Sequence, residues 1–199
     1  PPPFPASVES SAMSEPTISG DGSTVAFNVT VDAVGFPVRV GPFVRRGNEL
    51  AIQMTHGDLF PSRASLSDDG TRVAWASVQP VGTMDAEITV IIESTIDDTL
   101  VAVVDGGFVT HQSQGGFSIE LSGDGNHAVT TRTVRGDGDV FRYDVATAAL
   151  MPVVTAVDSV QRIAISDNGS RIVFTGTIES TTALWFVAPD TGATPRVVG

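Results

Sequence analysis

The chain has 199 residues, 41% hydrophobic and 17% charged, a balance that excludes a disordered chain and is enough to bury a substantial core. It has no cysteine, which excludes a disulfide framework, a thiolate metal site and a cysteine nucleophile. The net charge is −12 and all 11 basic residues are arginine, so phosphate backbones and anionic membrane surfaces are repelled; no run reaches the ~20 apolar residues of a spanning helix.

The opening stretch PPPFPASVESS is rich in Pro and Ser and lacks the charged and apolar regions of a signal peptide. Residues 1–14 are expected to form a linker. From residue 15 the chain repeats. The first unit, 15–62, carries ISGDGSTVAF and then a second hairpin turning at RRGN. The second, 63–116, carries LSDDGTRVAW and then ITVIIESTIDDTLVAVV, turning at IDD. The third, 117–160, carries LSGDGNHAVT and DVFRYDVATAALMPVV. The fourth, 161–199, carries ISDNGSRIVF and ALWFVAPDTGATPRVV.

The turn glycines Gly22, Gly70, Gly125 and Gly169 are 48, 55 and 44 residues apart. Three residues before each stands Ser19, Ser67, Ser122 or Ser166, and one before stands Asp21, Asp69, Asp124 or Asn168. Asp-Gly and Asn-Gly supply the positive φ of a tight hairpin, and the Ser and Asp side chains can bond the amides such a turn leaves free. Thr147 and Thr191 align with the same 44-residue offset, so the whole unit repeats and not only its turn. Each unit therefore predicts four short antiparallel strands, the period and strand count of a propeller blade. No segment has a helical period; TAALMPVV comes nearest, and Pro152 argues against it.

These residues resemble the WD40-like, PD40 or TolB-type propeller repeat, whose pattern is an apolar strand, Ser-Pro-Asp-Gly, a Val-Ala-Phe-Ser strand and a Thr-Gly turn further on. Ser67, Asp69 and Gly70 with RVAWAS match it, as do Ser166, Asn168 and Gly169 with RIVFTG. The motif's proline is replaced by Gly20, Asp68, Gly123 and Asp167, and the third copy lacks the aromatic. The resemblance implies an all-β propeller of about four blades, partial or open, completed by further blades or by self-association. It also implies a non-catalytic scaffold, secreted or periplasmic, that holds a protein or peptide. The alternatives are the propeller portion of a prolyl-oligopeptidase-like serine peptidase and a sugar-acting propeller enzyme.

No motif carries chemistry of its own. The acidic turns offer too few carboxylates for a calcium loop. The Arg135-Gly136-Asp137 tripeptide and the sequons at Asn28 and Asn168 read as incidental to loops and strands. The histidines lack metal-ligand spacing, with His127 expected on the surface beside its turn. There is no Gly-x-Ser-x-Gly, and without lysine there is neither Ser-x-x-Lys nor a P-loop. No cofactor is expected. The candidate ligand-face residues are His56 and His111, at strand ends, and Asp137 and Asp139, in a loop expected to be solvated. Residues 80–87 and 135–139 are the non-repeating loops in which function is expected.

Overall fold

A computed structural model describes residues 11–33, 36–54, 63–81, 85–110, 118–134, 137–189 and 194–198. They form four antiparallel sheets of four strands each, and no α-helix occurs among them. The first sheet is β1 (Ser11–Ile18), β2 (Thr24–Ala33), β3 (Phe36–Arg46) and β4 (Ile52–Gln53). The second is β5 (Ser65–Leu66), β6 (Arg72–Val81), β7 (Asp85–Ser94) and β8 (Leu100–Thr110). The third is β9 (Ile119–Leu121), β10 (His127–Val134), β11 (Asp137–Asp144) and β12 (Ala149–Val157). The fourth is β13 (Ser159–Ile165), β14 (Ile172–Ile178), β15 (Thr181–Val187) and β16 (Arg196–Val197).

In each sheet the strands lie side by side in chain order. Pro152, the residue that told against a helix, sits opposite Phe141 in β12, an edge strand, where proline is tolerated. The period of two decides how the sheets stack. Counting from the turn glycine, the third and fifth residues face the preceding sheet and the fourth faces the following one. Thus Val73 and Trp75 join Ala26 and Val44 in the core between sheets one and two. Ala74 joins Leu121, Ala128 and Tyr143 in the core between sheets two and three. Val129 joins Ile163, Ile172, Phe174 and Trp185 between sheets three and four.

Sheet-to-sheet contacts link neighbours along the chain, β1 and β2 with β5, β5 and β6 with β9, and β9 to β11 with β13. The array is open. Its two end faces carry the same kinds of residue that the interior sheets bury. Phe27 stands where Trp75 and Phe174 stand, yet it is only half-buried, while Trp75 is fully buried. It stacks instead on Phe43 of its own sheet, with ring centroids 5.8 Å apart.

Candidate functional site

The four repeated turns are closed alike. In the second, the Gly70 N–H donates to the Ser67 carbonyl at 2.9 Å and Gly70 takes φ +64°. Ser67 Oγ donates to Asp69 Oδ1 at 2.7 Å and accepts the Arg72 N–H at 3.0 Å. Asp69 Oδ1 also accepts the Thr71 N–H at 2.9 Å. Asp21 is held below the usual carboxylate range, first by Ser19 and then by Ser23. At Asp69 and Asp124 burial pushes upward, but the hydrogen bonds together outweigh it and the net direction is down. The acidic turns are thus satisfied by their own loops, and among the described residues no cluster of three metal-ligating side chains forms.

The turns also bond one another across the sheets. The Asp21 N–H donates to the Asp68 carbonyl at 2.9 Å, the Asp68 N–H to the Gly123 carbonyl at 2.8 Å, and the Asp124 N–H to the Asp167 carbonyl at 2.8 Å. The residues that replace the motif proline alternate Gly, Asp, Gly, Asp for a steric reason. A Cβ on Gly20 would lie 2.7 Å from Asp68 Oδ1. One on Gly123 would run into the same carboxylate and lie 3.0 Å from Cα of Asp167. Arginines tie the sheets further: Arg72 Nη1 donates to the Gly125 carbonyl at 2.7 Å, and buried Arg142 Nη1 donates to the Gly169 carbonyl at 3.2 Å.

Two concavities stand out. The first, about 490 Å³, lies where the innermost strands meet the open face of the fourth sheet; Arg63, Glu120, Arg162, Val173 and Leu184 line it. Glu120 is raised above its ordinary value by burial, which exceeds the lowering by Ser65 and Arg63. The second, about 450 Å³, is a cleft at the rim between the first two sheets. Leu50, Ile52 and Ile96 stand around it 90%, 55% and 64% exposed. Glu49, Asp97 and Asp98 edge it, outnumbering the one arginine of its lining, Arg46. Asp97 is held low by its hydrogen bonds with Ser94 and Thr99, so it is ionised at neutral pH. Thr95 anchors this corner, its Oγ1 donating to the Gly70 carbonyl at 2.5 Å.

No family sequence model and no curated protein matches the chain. Solved structures do. The β-propeller domain of the Trilobed protease from Pyrococcus furiosus, described as having an open velcro topology, aligns with a TM-score of 0.62 at 11% identity, over 96% of this chain and 58% of that one. TolB from Acinetobacter baumannii aligns at 0.55 and 13%, over 94% of this chain and 43% of that one. A puromycin hydrolase aligns at 0.62 and 14%, over 96% of this chain and 31% of that one. The fold is a β-propeller. The chain spans less than two thirds of the length of each of these three proteins, and at such identities the likeness establishes the fold alone.

The four sheets are therefore blades. Of the sequence-derived candidates, His56 and His111 lie outside the described residues, as do residues 82–84 and 135–136 of the two non-repeating loops. Asp137 opens β11, and its side chain is likewise not described. Asp139 is half-buried and accepts the Ala156 N–H at 3.0 Å, where Ala156 takes φ +58°. Its oxygen thus holds an edge-strand irregularity. His127 differs from expectation: it is half-buried, its Nδ1 3.5 Å from Asp144 Oδ2 and its ring packed on Gly169 of the next blade. The rim cleft and Glu120 went unnoticed in the sequence. The signal for Glu120 was its place in the repeat, where the other copies have Thr17, Ser65 and Ala164. The signal for the cleft was an apolar residue in each of two turns, Leu50 and Ile96, where polar residues are the rule.

Proposed function

We propose that this propeller is a non-catalytic, TolB-like scaffold, working in a secreted or periplasmic setting, whose rim cleft holds a basic segment of a partner protein. The observation that carries this reading is the cleft between blades one and two. Three large apolar side chains stand exposed around a concavity edged by three carboxylates. Exposed apolar groups rimmed by charge mark interaction sites. A segment with an aliphatic anchor and flanking Lys or Arg would bury Leu50, Ile52 and Ile96 and meet Glu49, Asp97 and Asp98. The chain's own charge of −12 steers such a segment toward it.

The test is fluorescence anisotropy with a labelled peptide of alternating Leu and Arg. Saturable binding that weakens with salt is expected, with Ile96→Asp costing about tenfold or more in affinity. Binding indifferent to Ile96→Asp, or none at all, overturns the reading.

A second reading draws on the likeness to the Trilobed protease and the puromycin hydrolase. In it these blades are part of a larger peptidase and filter access to its catalytic domain. The chain then binds no peptide at its rim, and the Leu-Arg peptide leaves anisotropy unchanged.

A further inference from the structure

Every internal blade interface is built from the same three parts. The first is apolar. The residue before the serine of the later blade shares a core with the fourth residue after the glycine of the earlier one: Leu66 with Ala26, Leu121 with Ala74, and Ile165 with Val129. The second is a backbone bond from one turn to the carbonyl of the next, always directed toward the following blade. The third is the steric alternation of Gly20, Asp68, Gly123 and Asp167.

At the two ends of the array each part is left half-made. Ile18, the counterpart of Leu66, is 61% exposed. Val173, the counterpart of Ala26, lies half-buried on an open face with Ala164 and Leu184, the latter 42% exposed. Among the described residues no backbone bond reaches the Gly20 carbonyl, and none leaves Asp167 for a further turn. These halves fit each other. An Asp turn followed by a Gly turn is the arrangement of Asp68 and Gly123, in which the Asp N–H meets the Gly carbonyl at 2.8 Å. Asp167 followed by Gly20 reproduces it.

We propose that the open face of blade four is covered by blade one of a second copy of this chain, and that two copies close head to tail into an eight-bladed ring. Asp167 of each copy then donates its N–H to the Gly20 carbonyl of the other, and Ile18 of one packs on Val173 of the other. Each copy supplies blade four to one junction and blade one to the other, a two-fold arrangement with reciprocal contacts. The ring also completes the concavity beside Glu120, whose wall at Ala164, Val173 and Leu184 gains β1 of the other copy. This inference is independent of the rim cleft, which lies between blades one and two and stays exposed in the ring.

The experiment combines solution mass with cysteine cross-linking, since the chain has no cysteine of its own. Light scattering should give twice the 20.7 kDa of the chain, and Ala164→Arg, an exposed position that each single chain tolerates, should return it to one. Ile18→Cys and Val173→Cys combined in one chain should form disulfide-linked dimers under oxidation, while neither alone should. A monomer at all concentrations overturns the proposal. Cross-linking by a single variant overturns it in favour of a dimer in which like faces meet. A ladder of longer products overturns the closed ring in favour of an open filament.

Discussion

Ser65 Oγ donates to Glu120 Oε2 at 3.0 Å and accepts the Leu121 N–H at 2.9 Å, so one hydroxyl of the second blade holds both a carboxylate and an amide of the third. Burial dominates at Glu120 and raises it. For an acid raised on folding, ionisation opposes the folded state. The cost is absent below the unfolded value of about 4.3 and complete above the folded one. Glu120→Gln should therefore stabilise the protein at pH 7 and do little at pH 3.5. Urea unfolding at the two pH values checks this, and a larger gain at the lower pH would contradict it.

The Gly–Asp alternation makes a coupled prediction. Gly20→Ala places a Cβ against the Asp68 side chain, an overpacking that should cost about 1–3 kcal/mol. In the Asp68→Gly background the whole obstructing side chain is gone, and the same substitution should cost well under ~1 kcal/mol. A double-mutant cycle by denaturant unfolding reads the difference, and additivity of the two changes would remove the steric explanation.

The acidic turns set part of the response to acid. Asp69 is depressed on folding, so it contributes stability that is complete above the unfolded value of about 3.9 and lost as pH falls through the folded one. Asn168 shows that the turn closes without a charge, its Oδ1 taking the Ser166 hydroxyl at 3.1 Å. Asp69→Asn should keep the fold, cost under ~1 kcal/mol at pH 7 for a largely solvated group, and flatten the fall in Tm between pH 5 and about 2. An unchanged slope would assign acid sensitivity elsewhere.

Trp75 is fully buried, and its Nε1–H has no hydrogen-bond partner among the described residues. Phe27 and Phe174 fill the same place in blades one and four. Trp75→Phe removes an unpaired donor while leaving a small void, and the two should offset to within about 1 kcal/mol. Trp75→Ala should cost about 3–5 kcal/mol. Thermal unfolding of both variants tests the pair, and equal losses would mean that the indole ring is indispensable to this core.

Much of the architecture was legible because a turn states its chemistry locally. Ser67, Asp69 and Gly70 are required by the loop they form, and the three related loops repeat that requirement. The β-branched and aromatic residues of TVAFNV, RVAWAS and RIVFTG likewise announced buried strands. What the sequence did not reveal depends on neighbours about 50 residues away. Glu120 is raised by burial, and Ser65 and Arg63, which oppose that shift, come from another blade. His127 is covered because Gly169 arrives from the next. Leu50 and Ile96 form one cleft only because two separate hairpins end side by side.

The backbone bonds that run from Asp21 through Asp68 and Asp124 to Asp167 give the stack a direction. Each blade leans on the one after it, and its cohesion is shared pairwise rather than drawn from one common core, as in linear repeat arrays. In the single chain blades two and three are flanked on both sides, and blades one and four on one. Amide exchange in the Ala164→Arg monomer should thus run inward from both margins, with the turns of Gly70 and Gly125 the last to open.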